Sequence, residues 1–486
     1  MSIHSESLAG VDPRKSAARK KLGLAGWSWA LFQGVRDPYV ILIKIYIFAP
    51  FFVTTVVADP VRGQALVASG AKYAGWIVML TAPLLGAAVD RMGPRKPWLA
   101  TTVGLMAPLI ALLWFALPGG EGLSIPAIVA IFVAVGVLFA YTETLHNALL
   151  VPAVGMSRVG AASGLGLALG NFISVTALIF VLWAFALPGQ VPAGIVPAQP
   201  LFGLDVATHQ QDRIVPVMVA IMMAIGVLPL LRFAPDVPAT GVRFLKALRM
   251  GAGDLKALFV EARGHRNALT YLGARMLFTD GLTGILIFAG VYAAGVMGWQ
   301  TLQLLAYGMM LSIFSVFGGL LAGRLDGIIG PKLALKISIV GVIISQLLSL
   351  GNTRDLLFFQ PYSAADHAPL WNGPIFTTAP ELALIFCGFL GAVCVTAAYS
   401  SSRTLLTRVV PPEKIGVFFG LFVIAGTATM WLGPLLVQLA TDLSGSQRIG
   451  LLPLSGLLLA GLIVLQFVRG GGSEPAAMDG SQVHES

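Results

Sequence analysis

The chain has 486 residues, of which 57% are hydrophobic and 11% are charged. Soluble domains carry roughly 25% charged residues, so lipid must be part of this chain's solvent. The net charge of +9 sits in loops with no aromatic ladder on a polar face, which excludes nucleic-acid binding. Cys387 and Cys394 lie seven apart in one apolar run, a spacing that gives neither a disulfide framework nor a metal site.

Residues 1–25 are polar and basic, with Arg14, Lys15, Arg19, Lys20 and Lys21. No short apolar core with a small-residue cleavage site follows, so the first span is expected to act as the insertion signal. Apolar runs long enough to cross a bilayer, about 20 residues each, fall at 33–58, 73–90, 98–117, 123–147, 161–188 and 213–231. A second set falls at 267–296, 301–323, 333–350, 379–402, 415–439 and 449–468. Twelve spans put both termini on one side. With that side cytoplasmic, 23 Lys or Arg lie inside, five lie outside (Arg62, Lys72, Arg213, Arg354 and Arg448) and three lie within spans. That asymmetry is the positive-inside signal. The outer loops 189–212 and 351–378 are rich in Pro, Gly and polar residues and are expected to be irregular.

The expected organisation is a cytoplasmic segment 1–32, a six-helix bundle 33–232, a linker 233–266, a second bundle 267–469 and a disordered tail 470–486. Within the linker, 243–263 places Phe244, Leu245, Leu248, Leu255, Leu258 and Phe259 among charges. This pattern predicts an amphipathic helix on the inner leaflet, with a solvated linker as the alternative.

The halves echo each other. Gly86-x-x-x-Asp90-Arg91-x-Gly93-Pro94-Arg95-Lys96 after span two matches Gly323-x-x-x-Gly327-Ile328-x-Gly330-Pro331-Lys332 after span eight, although Asp326 sits one place early. Arg158-Val159-Gly160-x-x-x-Gly164 matches Lys414-Ile415-Gly416-x-x-x-Gly420. A duplicated unit places substrate near the midplane between halves, with transport by rocking. The first loop reads as a conformational gate: Gly86 for close helix approach, and Asp90 capping a helix across the half interface. Arg91, Arg95 and Lys96 would pair with acids or lipid headgroups. The plainer reading is a basic turn that sets topology.

Gly86-x-x-x-Asp90-Arg91-x-Gly93-x-Arg95-Lys96 resembles the signature loop of the major facilitator superfamily. The resemblance implies an all-α membrane protein with about twelve transmembrane helices in two pseudo-symmetric six-helix bundles. Residues 271–281 with Tyr292-Ala293-Ala294-Gly295, and Asn147-Ala148-Leu149-Leu150-Val151-Pro152, are similar to the vacuole-effluxer branch, the autophagy-related amino-acid effluxers and their bacterial relatives. So are Arg403, Pro411, Pro412, Phe419-Gly420 and Gly433-Pro434-Leu435. Span one keeps that branch's frame at Trp29-Ala30-Leu31-Phe32 and Pro38-Tyr39. Its D-W-A-N-S core is replaced by Gln33-Gly34-Val35-Arg36-Asp37.

Charges inside spans are expensive and need a partner, a wet cavity or a route to the interface. Arg36 and Asp37 are expected near the cytoplasmic entry of span one, at headgroup level or in a cavity. Lys44 lies about 12 Å deeper, which favours a cavity or paired role. Glu143, His146 and Asn147 cluster in span four: Glu143 is the candidate proton-coupling carboxylate and His146 a relay, with a polar helix end as the alternative. In span seven Arg275 and Asp280 point about 140° apart and are not expected to pair. Asp280 is a candidate for substrate or cation binding and for proton coupling, with Arg275, Asn147 and Tyr399 as further cavity candidates; Gly281 and Gly284 beside it permit unwinding or close packing. Span ten offers Tyr399, Ser400, Ser401, Ser402 and Arg403. Its hydroxyls would bond helix carbonyls, and Arg403 would pair with an anionic substrate or serve topology. Trp27, Trp29 and Trp98 are expected as interfacial anchors.

The expected function is secondary transport of a small polar solute, driven by protons or by the solute's own gradient. The family implies an amino acid or related metabolite, moved outward. A transport-dead receptor or assembly factor on the same fold is the alternative. A membrane-embedded enzyme would need a reactive cluster, and no H-E-x-x-H, G-x-S-x-G or nucleotide-binding loop occurs. No cofactor, metal or nucleic-acid partner is expected. The expected state is a monomer in the lipid bilayer of a bacterial inner membrane, with both termini cytoplasmic.

Overall fold

A computed structural model describes residues 22–155, 158–189, 196–411 and 414–469. The basic N-terminal cluster Arg14–Lys21, Pro412 and the tail from residue 470 lie outside the described residues.

Among the described residues, twelve helices are long and apolar enough to cross a membrane. They are α1 (Leu24–Val56), α2 (Pro60–Met92), α3 (Lys96–Phe115), α4 (Ile125–Val154), α5 (Ala162–Ala186) and α6 (Gln210–Phe233). After the linker helix α7 (Phe244–Ala262) come α8 (Arg266–Gly295), α9 (Thr301–Ile328), α10 (Pro331–Leu350) and α11 (Ala379–Val409). Span eleven is broken into α12 (Ile415–Ala428) and α13 (Leu432–Ser444), and α14 (Gln447–Gln466) closes the set. The all-α twelve-span architecture is therefore as the sequence implies.

Two boundaries differ in consequential ways. Span one begins at Leu24 rather than residue 33, so Arg36 lies about 18 Å along the helix and not at its entry. The apolar run Leu24–Phe32 belongs to the span. Span two begins at Pro60 rather than residue 73, which moves Lys72 from an outer loop into the helix. Asp59 starts it by accepting the N–H groups of Val61 and Arg62 at 3.0 and 3.1 Å, with Pro60 in the first turn. The outer loop 351–378 is not wholly irregular: Leu356–Leu357 and Gln360–Pro361 pair as a short antiparallel hairpin.

Backbone irregularity concentrates in two spans. After Pro38, α1 widens into π-helical turns over Tyr39–Tyr46, and a non-helical Ile47 precedes a second such stretch at Phe52–Val56. Such turns recur at functional sites. By contrast α8 is continuous, and Gly281 and Gly284 serve close packing against Leu454 and Leu458 of α14.

Helix partners divide into two groups. α1 packs on α5 and α6, α2 on α4, and α3 on α4 and α6; α8 packs on α14, α10 and α9 on α11, and α13 on α14. Leu22, Arg469 and α7 share one face of the molecule, the linker face. On the opposite face a single hydrophobic core joins both groups, with Phe48, Phe52, Phe288, Leu305 and Val437 fully buried. Toward the linker face the cores are separate. One holds Trp29, Leu99 and Leu145, the other Tyr271, Phe278 and Leu405. The halves are thus sealed together on one side and parted on the other.

Candidate functional site

The parting encloses a cavity of ≈ 600 Å³ between the two groups. Three of its lining residues have carboxylic or amino side chains: Lys44, Glu143 and Asp280. Tyr399 also lines it, its hydroxyl 2.9 Å from the Thr283 hydroxyl. Much of the remaining wall is apolar or aromatic, including Tyr39, Ile43, Phe139 and Leu286.

Each of the three is held differently. Lys44 rides on the π-helical part of α1 and makes no hydrogen bond or ion pair among the described residues. Glu143 is half-exposed on α4, with an Oε1 4.0 Å from Nη2 of Arg36. Asp280 on α8 accepts the Gly433 N–H at 2.6 Å and so caps the start of α13, where span eleven resumes after Thr429–Trp431. Thr429 donates to the Met276 carbonyl at 3.1 Å, a second tie between the break and α8.

Arg36 and Asp37 lie within the helical bundle rather than at headgroup level. Arg36 is buried, with Nη2 donating to Gln33 at 3.0 Å and its guanidinium 5.1 Å over the Phe139 ring. Its Nε and Nη1 have no hydrogen-bond partner among the described residues. Asp37 accepts from Gln33 at 2.9 Å and packs on Gly170 of α5, away from the cavity lining.

His146 is fully buried. Its ring stacks on Trp29 at 4.3 Å, its Nε2 donates to the Trp29 carbonyl at 2.9 Å, and the Trp29 indole donates back to the His146 carbonyl at 2.7 Å. That reciprocal pair packs α1 on α4, so Trp29 is a core residue and not an interfacial anchor. Neither His146 nor Asn147 lines the cavity. Trp27 is exposed, while Trp98 stacks on Phe244 of α7.

Arg275 is also outside the lining. Its Nη1 donates to the Phe422 carbonyl at 2.7 Å and its guanidinium lies 3.4 Å over the Phe422 ring, which ties α8 to α12. It makes no contact with Asp280, as the helix angle implies. Arg403 is exposed near the end of α11. The span-ten hydroxyls mostly bond across helices rather than to carbonyls of their own helix. Ser401 donates to Asp326 at 2.6 Å, and Ser402 meets the Tyr271 hydroxyl at 2.8 Å.

The signature loop is organised locally and against the linker. Asp90 pairs with Arg95 at 2.6 Å within the loop, so it does not cap a helix across the halves here. Asp236 performs a capping role instead, accepting the N–H groups of Arg95 and Lys96 at 2.9 and 3.0 Å. Arg91 grips Asp254 of α7 at 2.5 and 2.7 Å, and these bonds hold the Asp254 carboxyl below its usual range. Gly93 adopts φ 100° where any side chain would strike the Pro238 carbonyl. An added Cβ at Gly86 would come within 3.2 Å of Thr144 on α4, and Gly251 of α7 sits on Ala87.

Sequence reasoning missed the seal. Gln64 donates to Thr441 at 2.9 Å and to the Gln447 carbonyl at 3.1 Å; Lys72 donates to Gln438 at 2.6 Å; Thr301 donates to Asp212 at 2.6 Å. All four bonds join the two halves on the side away from the linker. The Trp431 indole adds a contact with Met79 at 3.2 Å, and the Trp431 backbone packs on Gly75. The Asp59-Pro60 start signal could have placed Gln64 and Lys72 in a helix.

The fold has parallels among solved transporters. The D-xylose–proton symporter superposes with a TM-score of 0.62 at 15% identity, covering 92% of this chain and 98% of that one. A bacterial homologue of the human lysosomal transporter Spinster, inward-facing and unoccupied, gives 0.59 at 14% identity, covering 94% and 96%. The nucleoside transporter NupG gives 0.58 at 13% identity, covering 91% and 97%. By sequence, the MFS-type transporter YxiO of Bacillus subtilis is 22% identical over 465 residues, 91% of this chain and 94% of that protein. Autophagy-related protein 22 of Cryptococcus neoformans is 24% identical over 204 residues, 41% of this chain, and the match spans only 35% of that fungal protein. The family described as "Vacuole effluxer Atg22 like" matches residues 153–474, which run from the end of α4 through all of the second half. With twelve spans, two groups of helices and a cavity between them, the chain belongs to the Atg22-like vacuole effluxer family and is a multi-pass membrane transporter of the major facilitator type.

Proposed function

We propose that this protein is a secondary transporter that moves a small polar solute by alternating access, and that the cavity is its solute site. The observation that carries this reading is the asymmetry of the halves. One core and four polar bonds close one side, while the other side has two separate cores and a half-exposed Glu143. A site open to one face at a time is what alternating access requires.

With the basic loops inside, the linker face is cytoplasmic, both termini are cytoplasmic, and the membrane is a bacterial inner membrane. The two bundles flank the linker and rock about the cavity. Amino acids or related metabolites are the first substrate class, and efflux the direction, on the strength of the family's description. Glu143 is the proton-coupling carboxylate, since it combines cavity access with a loosely held arginine. Lys44, Asp280 and Tyr399 contact the solute. The signature loop, from Gly86 to Lys96, sets the inner gate through α7.

Purified protein in liposomes with an imposed pH gradient tests the reading against labelled amino acids, peptides and sugars. Gradient-driven accumulation of one solute supports it. Loss of accumulation with retained exchange in Glu143→Gln supports coupling through that residue. Folded, oriented protein that moves nothing across a broad panel would favour a transport-dead receptor.

A further inference from the structure

The linker helix α7 is sorted by charge. Asp254 and Glu261, seven residues apart, share one side and are spent on the protein itself. Asp254 pairs with Arg91 of the signature loop, and Glu261 pairs with Lys414 just before α12. Arg249, Lys256 and Arg263 also recur every seven residues. They lie within about 40° of one another around the helix and about 150° from the acids. All three are exposed, and their side chains make no hydrogen bond or ion pair among the described residues. Leu245, Phe259 and Val260 stand exposed on the same face, Leu245 at 72%. Leu248, Leu255 and Leu258 are half-buried, so the bundle takes one part of the helix's apolar surface and leaves the other outside.

The place of α7 decides what that outer face meets. Tyr73, Trp76, Ile77 and Leu80 form an exposed stripe on α2, the surface that a span turns to lipid. Steps of three and four residues carry the same stripe on to Ala87 and Arg91. α7 docks on those two residues, through Gly251 and Asp254. It therefore lies at the rim of the bundle, at the linker-face end of α2, where a side turned away from the bundle meets lipid headgroups.

We propose that this outer face of α7 docks on anionic phospholipid headgroups of the adjoining leaflet. Arg249, Lys256 and Arg263 hold the phosphates, while Leu245, Phe259 and Val260 enter the acyl boundary. The long stems of the basic residues let their charges reach phosphate beside inserted apolar side chains. Acidic lipid and Arg91 thus hold opposite faces of one helix, so leaflet charge bears on the signature loop. The proposal is independent of which solute the cavity takes.

The test is made on the full chain in nanodiscs of equal phosphatidylglycerol and phosphatidylcholine. p-Benzoylphenylalanine replaces Phe259, and mass spectrometry identifies the adducts after photolysis. The same replacement at Phe386, exposed on α11, is the control for a lipid-facing position with no basic neighbour on its helix face. Phosphatidylglycerol adducts are expected to exceed phosphatidylcholine adducts at Phe259 by at least about five-fold, the contribution of one basic residue beside an anionic leaflet. At Phe386 the two lipids should be equal. Arg249→Gln, Lys256→Gln and Arg263→Gln together abolish the preference at Phe259. Arg249→Lys with Arg263→Lys retains it, since phosphate accepts from either cation. Salt at about 1 M, where the Debye length falls to about 3 Å, erases it. Lipid adducts at Phe386 with none at Phe259 overturn the proposal, as do adducts at Phe259 to a second copy of the chain. Equal yields of the two lipids at Phe259, or a preference that survives the triple substitution, also overturn it. If the triple variant loses its lipid adducts at Phe386 as well, it has misfolded, and Lys256→Gln alone is read instead. That single change should lower the preference severalfold, and an unchanged preference in it overturns the proposal.

Discussion

The Asp280 carboxylate and the Gly433 N–H meet at 2.6 Å, so an acid on α8 caps a helix that begins in mid-membrane on span eleven. A broken helix in lipid must satisfy its freed backbone groups, and here another span supplies the acceptor. Asp280→Ala removes that acceptor and is expected to cost about 0.5–2 kcal/mol, the range for a lost N-cap. Asp280→Asn keeps an oxygen in place and should lose less. Thermal unfolding of both variants in detergent checks the order; equal losses would mean that the negative charge, not the acceptor, holds α13.

The seal on the face away from the linker rests on few polar bonds. Removing one is expected to cost about 1 kcal/mol and to shift the balance between closed and open forms roughly five-fold. Spin labels at Arg62 and Ser444, exposed positions at the sealed ends of α2 and α13, report the separation. Gln64→Ala and Lys72→Met should each add a longer-distance population. A single unchanged distance in both would show that apolar packing alone keeps this side shut.

The pair of Arg91 and Asp254 is the clamp between the signature loop and α7. Because the pair lowers the Asp254 carboxyl, the clamp is present above the ordinary carboxylate range and is lost as pH falls through the lowered value. Both side chains are exposed, so the effect is local and salt-sensitive. Arg91→Ala should lower the amide protection factors across residues 244–262 at neutral pH, and acidification should lower them in the native chain but add little in the variant. Exchange unchanged by the substitution would assign α7 docking to the Gly251–Ala87 approach and the Trp98–Phe244 stack instead.

The twelve spans were legible because lipid imposes a length and an apolar composition that few soluble helices share. What the pattern hides is where polar residues interrupt a span. Arg62, Gln64 and Lys72 dilute the first half of α2, so a hydropathy reading starts it late and assigns Lys72 to a loop. The same effect shortens α1 and lifts Arg36 to the surface on paper, although it is buried. The break at Thr429–Trp431 has no proline within it. Its trace is Gly433-Pro434 just beyond, since proline suits the first turn of a helix. Composition reveals Glu143 and His146 as neighbours on one helix. It does not reveal that His146 spends its ring on Trp29 while Glu143 alone reaches the cavity, because that depends on how α1 crosses α4.

His209 offers the sealed face a response to pH. Its Nδ1 lies 3.2 Å from Asp212, whose other carboxylate oxygen accepts from Thr301 across the halves at 2.6 Å. The hydrogen bond to Asp212 raises the His209 pKa above its ordinary 6.5. A raised histidine contributes fully below its unfolded value and loses that contribution as pH climbs through the folded one. Protonated His209 therefore orients the Asp212 carboxylate toward Thr301 under acid conditions, and the sealed form gains on the acid side. Gln211 also donates, at 3.2 Å, to the Asp212 oxygen that faces His209, so that oxygen keeps one donor without the imidazole. His209 is partly exposed, so the expected shift is modest. In the Arg62–Ser444 spin-label pair, lowering pH through the histidine range should shrink the open population, and His209→Gln should flatten that dependence. An unaltered pH profile in His209→Gln would place the titrating group elsewhere, with Glu143 the next residue to substitute.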